Sequence, residues 1–353
     1  MNLIAFDMDG VIVDVSSSYR EMIPRITQKF FEPSPDAARL PDPIVSLEDV
    51  ARIRNSGGWN NDWDLSGLVI SLALSRLNVD IPRDAADPWD LWHRSLQHLR
   101  LAPLIDYLGS TPLPISTLYQ ETGAFRHPLV DLLDQGDIAD GNLIRRLFQE
   151  LYLGSELFQT TYGLETKSHH GPGLIETERL LIPADSFKRF ADKHILAIAT
   201  GRPFAEAFHT LKLFRIENYF SRILTLDDCN MAQDWTEVLF QEHPSLEKPN
   251  PFMLNAIQAD LERPVERRFY IGDMPDDMRA AKSATPPYTA IGFLSSDAAV
   301  DDLRRKLLDA GADRLVTSAD ELEAIVCGAV EPEICRKPPA SNELQMTPNP
   351  PKP

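Results

Sequence analysis

The sequence predicts an α/β fold in which a mostly parallel sheet core carries an inserted all-helical unit. Three short apolar runs, each followed at once by polar residues, have the pattern of buried strands: 3–6, 195–199 and 269–271. Helical patterns lie between and after these runs, and three of them open on proline, which suits the first helical position because no backbone donor is needed there. Alternating strands and helices indicate a mostly parallel sheet covered by helices.

The alternation extends over residues 185–330, which together with 1–14 form the predicted core. Its helices are predicted at 203–213, 251–261, 275–284, 298–310 and 319–326. Further strands are predicted near 223–224, 290–293 and 315–316. The core is therefore expected to be discontinuous, with its first strand separated from the others by a long insertion.

The insertion, residues 15–184, contains helical patterns but no clear strand alternation, and it holds four of the five tryptophans. We predict a separate helical unit. Its expected hinges are 15–18 and 171–173, although the second, Gly-Pro-Gly, also suits a plain surface loop. The final segment, 331–353, has seven prolines in 23 residues and little apolar periodicity, which predicts a disordered tail.

Composition and charge exclude several classes of function. The 353 residues include 35 Lys and Arg against 53 Asp and Glu, a formal net charge of −18. We therefore expect no nucleic-acid partner and no membrane partner, because binding to either polyanion needs basic surface. No run of 18 apolar residues occurs, and the start lacks the pattern of a signal peptide. Three scattered cysteines suit a reducing compartment, so we expect a cytoplasmic protein.

Carboxylates follow two of the predicted strands. Asp7 and Asp9 come directly after the first strand, and Asp273, with Asp276 and Asp277 just beyond it, follows a later one. Open parallel sheets bind ligands beyond the carboxyl ends of their strands, so these acids converge if both strands share one sheet. Such a cluster repels itself unless a cation lies within it, and oxygen ligands suit Mg²⁺. Helix N-termini at the same edge would favour an anionic, phosphorylated substrate.

Four segments resemble, in order, the motifs of the haloacid dehalogenase superfamily of aspartate-nucleophile phosphotransferases: Phe6-Asp-Met-Asp-Gly-Val11, Ala199-Thr-Gly-Arg202, Lys248-Pro-Asn-Pro251 and Gly272-Asp-Met-Pro-Asp-Asp277. The sequence is most similar to the phosphoglycolate-phosphatase-like branch, whose helical cap is inserted between the first two motifs. The resemblance implies a Rossmann-like, mostly parallel sheet core with an inserted all-helical cap. It also implies hydrolysis of a phosphoric monoester with Mg²⁺ as cofactor.

The resemblance implies a role for each matching residue of the first two motifs. Asp7 would be the nucleophile that accepts the phosphoryl group. Asp9 would protonate the leaving alcohol and then activate water, and its backbone carbonyl would ligate the metal. The Thr200 hydroxyl and the Gly201 amide would hold phosphate oxygens, with a helix cap as the alternative for Thr200. Arg202 would either contact phosphate or lie on the surface.

The last two motifs imply a cation and further metal ligands. Lys248 would neutralise charge on Asp7 and on the transferring phosphoryl group. Asp273 would ligate the metal. Asp277 would support the water shell of the metal or hold Lys248, and its neighbour Asp276 is the alternative for this role, with Asp277 preferred by spacing.

The cap offers candidates for substrate recognition. Its length of about 170 residues exceeds the usual size for the family, so the substrates of the family do not carry over. Asn60, Asn61 and Trp63 could grip a polar substrate by hydrogen bonds and stacking. The alternative is a tight turn whose polar residues cap the next helix while its tryptophans pack in the cap. Arg20 would meet a second anionic group of the substrate or lie on a solvated helix face.

These features predict a Mg²⁺-dependent phosphatase that acts on a small phosphorylated metabolite through an aspartyl phosphate on Asp7. Two alternatives stay open. One is a phosphomutase of the same fold, and the other is a non-catalytic binding or regulatory relative. The second is disfavoured because Asp7, Asp9, Lys248 and Asp273 are all present.

Overall fold

The computed structural model describes residues 1–56, 59, 61–240, 245–295 and 300–328. Its strands are, in chain order, β1 (Leu3–Phe6), β2 (Val13–Asp14), β3 (Arg179–Leu180), β4 (Ile195–Ala199), β5 (Phe220–Leu224), β6 (Arg268–Gly272), β7 (Thr289–Phe293) and β8 (Arg314–Val316). Six of them form one parallel sheet in the order β5-β4-β1-β6-β7-β8, and β2 pairs antiparallel with β3. The predicted α/β class with a mostly parallel sheet is confirmed.

The helices are α1 (Met22–Phe30), α2 (Leu47–Asn55), α3 (Asp62–Leu74), α4 (Pro88–Leu96), α5 (Ala102–Ser110), α6 (Pro114–Thr122), α7 (Pro128–Leu133), α8 (Leu143–Tyr162), α9 (Ala184–Ala191), α10 (Phe204–Leu213), α11 (Leu226–Phe240), α12 (Phe252–Ala259), α13 (Pro275–Ser283), α14 (Val300–Asp309) and α15 (Ala319–Val326). Helices α1 to α8 lie between β2 and β3 and form the cap, whereas α9 to α15 belong to the core. Within the described ranges, no helix is both long and apolar enough to cross a membrane. The expected disordered tail, 331–353, falls outside those ranges.

Both faces of the sheet are apolar because helices cover both. Ile4 and Phe6 of β1 belong to a buried cluster that includes residues of α9 and α10. Leu3 and Ala5 belong to a second buried cluster, which includes residues of α12 and α13. Successive side chains of a strand alternate between faces, so a strand buried on both sides appears as a continuous apolar run.

Strand β1 lies in the middle of the sheet, between β4 and β6. Phe6 pairs in parallel register with Ile198 of β4 and with Ile271 of β6. The chain therefore leaves β1 level with the ends of both neighbouring strands. The residues that follow these three strands meet at one edge of the sheet, which is where open parallel sheets bind ligands.

The cap has an apolar core of its own, distinct from the two clusters on the sheet. Helix α3 lies at its centre and contacts α1, α6, α7 and α8. Residues 65–74 of this helix are all buried, as expected for a helix that is apolar around its whole circumference. The cap therefore holds together by its own packing.

The chain crosses between core and cap through β2 and β3. Val13 pairs with Leu180 in this small antiparallel ribbon, and the predicted hinge 15–18 directly follows β2. The other predicted hinge, 171–173, instead packs against a kink in α8. At the kink Gly154 has a φ of 73°, and a Cβ there would lie 2.2 Å from the Gly173 nitrogen. Only glycine fits this close approach of two backbones.

Candidate active site

Three carboxylates meet where β1 and β6 end. Asp7 follows β1 directly, whereas Asp273 follows β6 and Asp277 lies in the first turn of α13. One oxygen from each lies within 4.8 Å of the oxygens of the other two. Asp7 and Asp277 are both buried. The two strands share one sheet, so their acids converge as the sequence indicated.

Backbone contacts hold the loop after β1 against the end of β6. The Asp7 N–H donates a 2.8 Å hydrogen bond to the carbonyl oxygen of Ile271, which continues the parallel pairing past the strand. Gly10 has a φ of 71°, and a Cβ there would lie 2.1 Å from Asp273 Oδ2. This position requires glycine, both for its backbone conformation and for the close approach to the carboxylate.

Lys248 joins two of these acids. Its Nζ lies 2.9 Å from Asp7 Oδ1 and 2.7 Å from Asp277 Oδ1. It also donates to the hydroxyl oxygen of Tyr270 at 3.3 Å. Burial opposes the charge on this ammonium, yet Asp277 and Asp7 raise the pKa of Lys248 well above its ordinary value. A fixed positive charge therefore lies beside Asp7.

Asp277 and Asp276 have different surroundings, although they are adjacent. Asp277 accepts from Lys248 through Oδ1, and its Oδ2 accepts the Met274 N–H at 3.0 Å. Asp276 forms an ion pair of 2.6 Å with Arg279, in which both side chains are exposed to solvent. The structure thus places Asp277, and not Asp276, against the lysine.

The acids repel one another in this buried setting. Burial raises the pKa of Asp7 to about 7, with a partial offset from Lys248 and a further rise from Asp277 and Asp9. Burial, together with Asp277 and Asp7, also raises the pKa of Asp273 well above its ordinary value. A divalent cation among these oxygens would relieve the repulsion. An all-carboxylate donor set of this kind suits Mg²⁺, so the residues fit the expected metal.

Thr200 and Gly201 follow β4 at the same edge of the sheet. Thr200 is buried, and its Oγ1 accepts the Arg202 N–H at 3.2 Å. This contact closes a turn ahead of α10 and is not a helix cap, because Pro203 is the N-cap residue of α10 and the helix has no side-chain cap. It leaves the hydroxyl proton available for donation. A Cβ built on Gly201 would meet no atom within 4 Å, so this part of the backbone borders open space.

Arg202 is directed toward carboxylates. Its Nε and Nη2 both lie 2.6 Å from Asp9 Oδ1. Its Nη1 and Nη2 donate to Glu178 at 3.1 and 2.8 Å. The alternative of a surface position is wrong, because the residue is only 3% exposed. Because Asp9 and Glu178 already engage these nitrogens, the structure disfavours the expected contact between Arg202 and phosphate.

A cavity of about 450 Å³ lies between the core and the cap at this edge of the sheet. The core contributes four residues of the matched motifs to its walls: Thr200, Gly201, Lys248 and Asp277. Helix α2 contributes Ala51 and Arg54. The cavity thus brings the cap helix α2 to the edge of the sheet where the carboxylates meet. Cavities of this size suit small metabolites.

Comparison with known proteins identifies the family of the chain. The family model of haloacid dehalogenase-like hydrolases matches residues 1–285. The chain belongs to the haloacid dehalogenase-like hydrolase family. The resemblance carried by the four motifs is therefore confirmed, whereas no curated protein matches the sequence.

Two solved structures share the fold of this hydrolase. One is the X-ray structure of a Northeast Structural Genomics Consortium target, with 21% identity, a TM-score of 0.66, and coverage of 94% of this chain and 99% of that chain. The other is phosphatase Tt82 from Thermococcus thioreducens, with 19% identity, a TM-score of 0.51, and coverage of 87% of this chain and 99% of that chain. Likeness at this level of identity shows the fold alone.

In this hydrolase, the stretch of asparagines and tryptophans in the cap shows features of a capped turn. The Asn61 side chain accepts the Trp63 N–H at 2.9 Å and the Asp64 N–H at 3.3 Å, so it caps α3. Trp63 packs beneath the guanidinium of Arg145, 5.1 Å from its ring centroid. Asn60 lies outside the described residues. The engaged oxygen of Asn61 favours the structural alternative for that residue over substrate binding.

Arg54, which the sequence reasoning missed, is the charged cap residue in the cavity wall. It pairs with Asp62 at the start of α3. Burial, with a smaller contribution from Arg20, lowers its pKa, and Tyr19 opposes that change. Its buried Nε has no hydrogen-bond partner among the described residues. Arg20 is exposed to solvent in a short 3₁₀ helix, which agrees with the alternative that it lies on a solvated helix face.

Proposed function

We propose that this hydrolase is a Mg²⁺-dependent phosphatase that forms an aspartyl phosphate on Asp7. The bridge from Lys248 to Asp7 and Asp277, with Asp273 beside it, carries the proposal. A carboxylate held next to a fixed cation at the end of a central strand suits attack on an anionic phosphoryl group. The family membership and the four motifs support the same chemistry.

The proposed reaction has two steps. An oxygen of Asp7 attacks phosphorus while the bond from phosphorus to the alcohol oxygen breaks, and Asp9 gives a proton to that leaving oxygen. Asp9 then takes a proton from water, whose oxygen attacks phosphorus. This releases inorganic phosphate and restores the Asp7 carboxylate. When held by Asp7, Asp273 and the Asp9 carbonyl, Mg²⁺ would supply positive charge next to the phosphoryl oxygens.

Residues of the core and the cap would hold the substrate. The Thr200 hydroxyl and the Gly201 amide are the proposed donors to phosphate oxygens, at the same edge as Lys248. Arg54 is the proposed cap contact to the remainder of the substrate, because its guanidinium lines the cavity. The cap would also limit access of water during the transfer. The cavity of about 450 Å³ favours a small phosphorylated metabolite.

The test is release of inorganic phosphate from a panel of phosphorylated metabolites, with Mg²⁺ and with EDTA. We expect turnover of a small phosphate ester that is lost in EDTA and restored by added Mg²⁺. Asp7→Asn should abolish turnover while the melting temperature is maintained, because the amide keeps the volume of the side chain and removes the nucleophile. Turnover by the asparagine variant would contradict the role proposed for Asp7.

Product analysis of the same panel separates the alternatives. A phosphomutase would return the phosphoryl group to another hydroxyl, so an isomerised ester would accumulate in place of free phosphate. A chain that binds esters without converting any of them would support the non-catalytic alternative. We also propose a cytoplasmic protein without nucleic-acid or membrane partners, on the grounds of its net charge of −18 and its three cysteines.

A further inference from the structure

Arg202 contacts Asp9, the proposed acid and base of the reaction, through only one of the two carboxylate oxygens. The guanidinium is buried and sends two nitrogens, Nε and Nη2, to the same oxygen of Asp9, Oδ1. A planar guanidinium ordinarily takes both oxygens of one carboxylate. Among the described residues, Oδ2 of Asp9 accepts no hydrogen bond, so this oxygen remains available to exchange a proton with substrate.

Glu178 accounts for this one-sided contact. It accepts from Nη1 of Arg202 at 3.1 Å and from Nη2 at 2.8 Å, so both terminal nitrogens are engaged by this glutamate. Thr210 accepts from Nη1 at 3.0 Å and donates to Glu178 at 3.1 Å. Burial opposes the charge on Arg202, yet Asp9, Tyr152 and Glu178 raise its pKa well above the ordinary value.

The same glutamate ties the core to the cap. Glu178 lies immediately before β3, where the chain returns from the cap. Its Oε1 accepts from Ser18 in the outgoing connection and from Tyr152 in α8, each at 3.0 Å. Its side chain is fully buried. One carboxylate of the returning connection therefore receives hydrogen bonds from the outgoing connection, from the long cap helix and from the arginine that holds Asp9.

We propose that Glu178 is a positioning residue that holds Arg202 on a single oxygen of Asp9 and thereby keeps the other oxygen in place for proton transfer. The inference rests on the proposed phosphatase activity. Without the charge of Glu178, the guanidinium is free to take both oxygens of Asp9, which would block protonation of the leaving group. Because Ser18 and Tyr152 bind the same carboxylate, the geometry of Asp9 depends on the seating of the cap.

The experiment compares two esters that differ in their need for an acid. The alcohol of glycerol 3-phosphate must be protonated as it leaves, whereas the p-nitrophenolate of p-nitrophenyl phosphate leaves without a proton. For each ester, kcat/KM reports the steps up to departure of the alcohol. Glu178→Gln should lower kcat/KM for glycerol 3-phosphate on the order of 100-fold, the size of a general-acid contribution, and for p-nitrophenyl phosphate by only about 2-fold.

Two further variants separate positioning from folding. Tyr152→Phe removes one hydrogen bond from Glu178 and keeps its charge, so it should give a smaller loss with the same preference between esters. If Glu178→Gln does not fold, this variant decides the question. The matched control is Glu176→Gln, two residues away, where the glutamate pairs with His209 at a partly exposed site. It should leave both kcat/KM values unchanged.

The outcomes distinguish the inference from the function on which it rests. Equal losses on the two esters, or no loss on either, would overturn the positioning role while the phosphatase proposal stands. A wild-type protein that hydrolyses neither these esters nor any member of the metabolite panel would overturn the proposed function, and the inference with it. A loss selective for glycerol 3-phosphate supports both.

Discussion

Gln149 of the cap donates a 3.0 Å hydrogen bond to the carboxyl group of Glu206 in the core. Both side chains are buried. Burial raises the pKa of Glu206 to about 7, although Arg202 and the bond from Gln149 both act to lower it. The Oε1 atom of Gln149 has no partner among the described residues, and a protonated Glu206 carries a donor suited to it. The contact between cap and core therefore suits the neutral acid.

This contact predicts that stability depends on pH. A carboxyl group whose pKa is raised in the folded state stabilises the fold below its ordinary pKa of 4.5, and that contribution is lost as the pH rises toward 7. The difference corresponds to roughly 3 kcal/mol at full burial. In urea unfolding between pH 4.5 and 8, Glu206→Gln should gain stability relative to the wild type as the pH rises.

The exposed Glu156 of α8 provides a matched control for that measurement. Glu156→Gln should keep a constant difference in free energy of unfolding from the wild type over the same range. A constant difference for Glu206→Gln as well would show that the buried acid does not titrate there.

The unequal surroundings of Asp277 and Asp276 predict unequal losses of activity. Asp277→Asn removes a charge that holds Lys248, so kcat should fall on the order of 100-fold. Asp276→Asn alters an exposed pair with Arg279 and should stay near the wild type. Steady-state kinetics with excess Mg²⁺ checks both variants. A larger fall in kcat for Asp276→Asn than for Asp277→Asn would contradict the role assigned to Asp277.

Arg54 is predicted to bind substrate, so Arg54→Met should raise KM about 10-fold with a smaller effect on kcat. The same substitution leaves the buried Asp62 without its partner, which could disturb the start of α3. Asp62→Asn serves as the comparison, because it breaks the ion pair and keeps the arginine. If Asp62→Asn raised KM by the same factor, the effect of Arg54→Met would belong to helix packing.

Asn61 is the N-cap residue of α3, so replacing it should lower the stability of the protein and leave substrate binding unchanged. Asn61→Ala removes the acceptor for two backbone amides at the start of α3 and should cost about 1 kcal/mol in free energy of unfolding. Asn61→Ser retains an N-cap oxygen and should recover most of that loss. KM should be the same for both variants, and a rise in KM in both would restore the interpretation that this residue binds substrate.

Much of the core could be predicted because its elements carry strong local patterns. The apolar run at 195–199 coincides with β4, and the helical pattern at 319–326 coincides with α15. Helix α11 was missed. Its large apolar residues, such as Trp235 and Val238, are exposed, so it has no buried stripe that periodicity could detect.

The site was predictable only where its residues form short motifs. Asp7, Lys248 and Asp273 could be found from their places after strands and within the four segments. Glu178 carries no such signal, because its partners come from segments far apart in sequence, as with Ser18 and Arg202. Arg54 likewise is one arginine among several on a cap helix. The roles of such residues depend on their burial and on the side chains around them, and a single sequence reveals neither.

The central place of β1 has a consequence for synthesis of the chain. Its partners β4 and β6 begin at residues 195 and 268, so a nascent chain exposes its first strand throughout translation of the entire cap. The cap, which has its own apolar core, can fold on the ribosome long before that strand finds a neighbour. Assembly of the proposed active site is therefore among the last events in biogenesis, and a chain truncated before residue 268 contains Asp7, the proposed nucleophile, without Asp273 and Asp277.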